Sequence, residues 1–139
     1  MITNFNKPQN WLLTLLVVNV ISTILHYTDN VLFFNRYPAP QWMNMHHVYL
    51  AWILLTPFAL IGYLLYVNQK YWLAYVCLFL YSNAGAGSMG HYFYGSMMDM
   101  SLKMNASITL DVVAGISLDL FLFWSAFIAR EWRKLKTTN

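Results

Sequence analysis

Charge is scarce in this chain: 9% of its 139 residues, eight basic and five acidic. A soluble domain has about a quarter of its residues charged, so an ordinary polar surface is excluded. A single cysteine, Cys77, excludes an intramolecular disulfide and any cysteine-based metal motif. The glycines between Ala84 and Gly90 follow no strand and lead into no helix, which excludes a phosphate-binding loop. The basic C-terminal run adjoins an apolar stretch and reads as an anchor to anionic headgroups, so no nucleic-acid partner is expected.

What the chain does have is apolar. Hydrophobic residues make up 59% of it and aromatics 18%, with a mean hydropathy of +0.45. Four stretches, Trp11 to Tyr27, Val48 to Val67, Tyr71 to Met89 and Ile108 to Ala129, each approach the ~20 residues that carry a helix across a ~30 Å hydrocarbon core. The expectation is an all-α integral membrane protein, a four-transmembrane-helix up-down bundle forming one domain over residues 1–139. The spans are placed near 10–28, 47–67, 70–91 and 107–130. The first lacks a small-residue cleavage site and is read as a retained helix.

Lys7, Lys70, Arg130, Arg133, Lys134 and Lys136 flank the spans on one side, and only Arg36 and Lys103 lie on the other. By the positive-inside rule both termini are cytoplasmic, in a plasma or inner membrane, and two structured loops, near 28–47 and 90–107, are exoplasmic. The first loop holds Arg36-Tyr37-Pro38-Ala39-Pro40-Gln41-Trp42, whose prolines restrict the backbone. It is expected to lie across the mouth of the bundle.

All four histidines fall on that exoplasmic side. His26 and Asp29 are three apart and share a helical face. His46 and His47 open the second helix, His91 closes the third on one face with Asn83 and Gly87, and Asp111 is placed in about the first turn of the fourth. Imidazoles and carboxylates near a bilayer persist mainly when paired, hydrated or bound. The expected metal ligands are therefore His26, Asp29, His46, His47, His91 and Asp111, for copper or zinc, with iron also possible. Seven of the eight methionines, beginning with Met43 and Met45, lie on the same side, and thioethers favour Cu(I). Against this stand ordinary roles: a histidine at a helix end is often just interfacial, and Met fills irregular packing.

Asp119 falls near the middle of the fourth span, where a carboxylate needs a partner or a proton. Asn19, Thr56, Tyr81 and Ser82 lie at its depth, and a polar seam from the mouth through Asp111 and Gly115 to Asp119 is expected. Three functions fit this pattern. One is binding or handling of a transition metal ion. The second is a small membrane enzyme acting on a lipid or isoprenoid substrate through a metal-activated water or a His/Asp acid-base pair, with His26, Asp111 and Asp119 as catalytic candidates. The third is an accessory membrane subunit whose polar seam only specifies helix pairing. A haem held by His26 and His91 is geometrically possible, but a two-haem path across the membrane is not, since the cytoplasmic half lacks histidine. The small-residue face of the third helix is expected to pack closely, within the chain or in a homo-oligomer.

Overall fold

The computed structural model describes residues 7–134, and these are helical, without strands. Met1 and Lys136, used above, lie outside the described residues. Helix α1 runs Pro8–Leu32, α2 Met45–Val67, α3 Tyr71–Ala86, α4 Leu102–Phe123 and α5 Glu131–Lys134. Three segments, Pro8–Leu32, Met45–Val67 and Leu102–Ile128, are long and apolar enough to cross a membrane. The α-helical part of α3 has 16 residues, roughly 24 Å at the ~1.5 Å rise of an α-helix, and the chain continues from it as a 3-10 helix, Gly87–Phe93.

Local chemistry sets the ends. Pro8 stands at the start of α1, where its missing N–H removes no helix bond. Asn44 and His47 form a capping box on α2: His47 N–H donates to Asn44 Oδ1 at 3.2 Å and Asn44 N–H to His47 Nδ1 at 3.3 Å. Ser101 Oγ caps α4 by accepting from Met104 N–H at 3.2 Å. The connection Asn68-Gln69-Lys70 turns tightly, with Gln69 at φ 63°, and makes α2 and α3 an antiparallel hairpin. The start of α4 at Leu102 corrects the expected boundary. It moves Asp111 from the first turn into the third, below the helix end.

The four long helices pack in a ring, with α1 against α2 and α4, and α3 likewise against α2 and α4. Burial is inverted relative to a soluble bundle. The inner face of α1 buries Asn19, Ser22, Thr23, His26, Asp29 and Asn30, while Val17, Val18, Ile21, Ile24 and Leu25 are exposed. An apolar core of Leu12, Leu16, Tyr66, Leu78, Tyr81 and Leu118 fills one half. A smaller group of Tyr37, Met100, Met104, Ile108 and Val112 fills the other end. Met100 and Met104 thus serve as packing.

The small residues of α3 are used within the chain. A Cβ on Gly115 would lie 2.5 Å from Ala86 N and 2.6 Å from Ser82 O, and one on Gly85 would lie 2.7 Å from Asp111 O. These glycines let the backbones of α3 and α4 touch. Gly115→Ala is expected to push the helices apart and destabilise by about 1–3 kcal/mol. Gly87→Ala, with nothing within 4 Å of the added carbon, should leave the thermal unfolding midpoint in detergent within a degree or two of wild type. Equal midpoints for the two variants would contradict the close contact.

Candidate functional site

At the end of the ring opposite the α2–α3 turn, the last turns of α1 and the 3-10 extension of α3 bring His26, Asn30 and His91 together. His91 Nδ1 lies 2.7 Å from the Pro38 carbonyl oxygen, which only accepts, so Nδ1 carries the proton. In the neutral ring Nε2 is then an acceptor, facing Asn30 Nδ2 at 2.9 Å. This assigns the Asn30 amide: its nitrogen faces His91, and its Oδ1 is buried without a partner.

His26 packs edge-on to His91, ring centroids 5.5 Å apart, and to Tyr37 at 5.8 Å. Its Nδ1 has a long contact of 3.4 Å with Ser107 Oγ of α4. His26, Asn30 and His91 border a cavity of about 290 Å³, walled by Val48, Ala51 and Leu55 of α2 and roofed by the segment from Pro38 to Met43. The first loop therefore covers the mouth, as its prolines suggested. Two bonds hold it down: the one from His91 to Pro38, and Tyr37 OH donating to Asp29 Oδ2 at 2.7 Å. Asn83 and Gly87 border the same cavity as His91, in agreement with their four-residue spacing.

The other expected ligands are placed differently. Asp29 is turned toward Tyr37 and an ion pair with Lys103, whose ammonium also lies 4.4 Å from the Phe33 ring centroid. Asp111 is wholly buried below the cavity and accepts from Ser22 Oγ at 2.6 Å and Ser88 Oγ at 2.7 Å. His46 is exposed. His47 reaches the cavity wall, but its Nδ1 caps α2 and its ring lies 5.9 Å from that of Trp42. Met43 also borders the cavity. Among the described residues no three His, Cys, Asp or Glu side chains are grouped to hold a metal ion.

Asp119 departs from the expected seam. It bonds to Ser82 of α3, one of its expected neighbours, and faces a groove on the outside of α3 and α4. Thr56 instead donates to the Trp52 carbonyl at 2.7 Å. Tyr81 shares a 3.2 Å bond with Thr23. Asn19 is fully buried with neither amide atom bonded. The seam therefore descends through Asp111, Ser22, Thr23 and Asn19, and Asp119 lies outside it.

A second polar cluster at the opposite end was not anticipated. Glu131 is buried and accepts from Tyr66 OH and from Ser125 Oγ at 2.5 Å, while Tyr75 OH donates to Ser125 Oγ at 2.9 Å. Trp132 Nε1 donates to the Ala126 carbonyl at 2.9 Å, closing the π-helical turn Trp124–Ile128 onto α5. In sequence, Glu131 is a lone acid within a basic tail, a context that points outward. Only the fold brings Tyr66 and Tyr75 to it.

The chain matches no protein-family model, and neither the curated proteins nor the solved structures contain a match to it.

Proposed function

We propose that this chain is an integral membrane protein whose cavity beneath the first loop binds a small amphiphilic molecule carrying one hydrogen-bond donor. The four apolar stretches act as four spans, α3 with its 3-10 extension forming the third, and both termini lie on the cytoplasmic side. The inverted burial of α1 and the placement of Lys7, Lys70 and Arg133 at one end support this orientation. The observation that carries the ligand reading is the Asn30 side chain. It borders a cavity with mostly apolar walls, and its oxygen is buried, unpartnered and locked as an acceptor by His91. Buried acceptors are seldom left unbonded. A hydroxyl or amine of a lipid-like molecule would satisfy it once a small shift of the surrounding side chains opens that oxygen to the cavity, with the apolar part against Val48, Ala51 and Leu55. The His26 ring, close to that point, supplies a group able to move a proton on or off the same hydroxyl, so proton-transfer chemistry on a lipid or isoprenoid alcohol is within reach of the site.

One observation favours a second reading. His26, His47, His91 and Met43 border the same cavity, a donor set suited to Cu(I). Loading it would require His91 to give up Asn30 and the side chains to move together. The two readings separate by substitution. Mass spectrometry of molecules co-purifying with the protein in lipid nanodiscs should detect a stoichiometric amphiphile that Asn30→Leu loses and Cys77→Ala retains. Stoichiometric Cu⁺ uptake that survives Asn30→Leu but not His26→Ala would favour the metal. The amphiphile reading fails if wild type and Asn30→Leu carry the same molecules in the same amounts.

A further inference from the structure

Asp119 and the groove it faces are not used by the cavity at the mouth. The groove lies between α3 and α4, has a volume of about 450 Å³, and is lined by Trp72, Tyr75, Phe79 and Phe123 among other apolar residues. Among the described residues Asp119 is the one acidic or basic residue on its wall. Ser82 Oγ contacts both Asp119 Oδ1 and the Phe79 carbonyl, the latter at 2.9 Å. One hydroxyl has one proton to share between them. The other oxygen of Asp119 has no hydrogen bond among the described residues.

The exposed face of α4 has a regular pattern. Val113, Ile116, Leu120, Phe123 and Phe127 are all exposed and spaced three, four, three and four apart. This is the a/d repeat of a two-stranded coiled coil, with Val113, Leu120 and Phe127 at a and Ile116 and Phe123 at d. The π-helical turn Trp124–Ile128 does not remove Phe127 from the stripe, since its ring stays 5.1 Å from that of Phe123. In this register Asp119 is a g position and Trp124 the e position five residues on. The indole of Trp124 is exposed, packs at 5.8 Å against Phe121, and its N–H has no hydrogen-bond acceptor among the described residues.

Two copies inserted the same way in a membrane present α4 in parallel, and in a parallel pair g of one helix faces e of the next heptad in the other. Asp119 is an unfilled acceptor and Trp124 an unfilled donor at those two positions. Lipid tails pack on an apolar stripe as well as a second helix does, so the stripe alone selects no partner. Polar contacts across helices do. We infer that α4 forms a parallel, two-fold symmetric homodimer along Val113, Ile116, Leu120, Phe123 and Phe127, with the Trp124 indole of each copy entering the α3–α4 groove of the other and donating to Asp119. The inference rests on α4 spanning the membrane but not on what the mouth cavity holds. It also moves the self-association face from the small-residue face of the third helix, where Gly85 is occupied within the chain, to α4.

The test uses the full chain with Cys77→Ala, reconstituted in phosphatidylcholine vesicles at low protein density. Leu120→Cys should cross-link under mild oxidation, and Ile53→Cys, on the exposed face of α2, should not. In Förster-transfer dilution, Asp119→Ala and Trp124→Phe should each remove both symmetry-related contacts and weaken dimerisation by about ten- to four-hundredfold, since a single interhelical polar contact in a membrane is worth about three- to twentyfold. The double variant should be no weaker than the weaker-binding single variant. A protein that stays in the vesicles but is monomeric, that cross-links equally through Ile53→Cys, or whose two substitutions act additively overturns the dimer and leaves the cavity reading intact. A protein released from the vesicles by alkaline carbonate overturns the spanning helices and both proposals with them.

Discussion

Asp111 is the point on which the half of the molecule that holds the histidines depends. Its carboxyl is fully buried and reaches Ser22 of α1 and Ser88 of the 3-10 segment after α3, so one side chain of α4 ties three elements together. A buried carboxyl deprived of such donors is costly, and those bonds therefore specify how the three elements meet. His26 lies one helical turn beyond Ser22, and His91 three residues beyond Ser88. Placing the serines on Asp111 places the two imidazoles beside each other. The glycines at 85 and 115 are the steric condition for it, since any Cβ at Gly85 would meet the Asp111 carbonyl.

The same logic recurs at the other end. Glu131 draws Tyr66, Tyr75 and Ser125 inward and holds the short α5 against the bundle. Each end thus has a buried acid surrounded by hydroxyl donors, and an apolar core lies between them. The exterior is Leu, Ile, Val and Phe. With polar groups paired inside and apolar ones outside, the helices are held by directional bonds and close packing, which suits a bilayer, where apolar burial between helices provides little drive. Among the described residues Asn19, Asn30, Trp52, Tyr92 and Asn105 are the exceptions, each with a buried side-chain polar atom left unpaired. Such atoms mark where something else binds or where water sits, and Asn30 is the one of these residues that borders the cavity at the mouth.

Much of the helical architecture was legible in the chain. Long apolar runs between polar turns identify α1, α2 and α4, because crossing length and apolarity are properties of a segment by itself. The cap at Asn44 and the tight turn at 68–70 are equally local. Spacing within one helix was legible too: Asn83, Gly87 and His91 do share a surface. The boundary of α4 was not, because the polar turn Ser101 to Asn105 continues the helix under a serine cap, and a hydropathy pattern registers only the apolar part.

The site was legible as a composition and not as a geometry. Four histidines on one side pointed to the end of the molecule where the cavity lies, yet His46 faces outward and His47 is used as a helix cap, while Asp29 and Asp111 are turned to Tyr37, Lys103 and two serines. Asparagine, serine and tyrosine carry little signal in sequence because they occur everywhere, yet Ser22 and Ser88 hold Asp111 and Tyr37 holds Asp29, while the Pro38 carbonyl sets which nitrogen of His91 is protonated and so which end of the Asn30 amide is left over. That this protein is helical, built of long apolar segments and rich in histidine at one end follows from residue type and period alone. Which polar groups pair with one another does not, because a hydrogen bond between residues 23 or 89 positions apart depends on how the helices are rotated in the ring, and no local pattern records that.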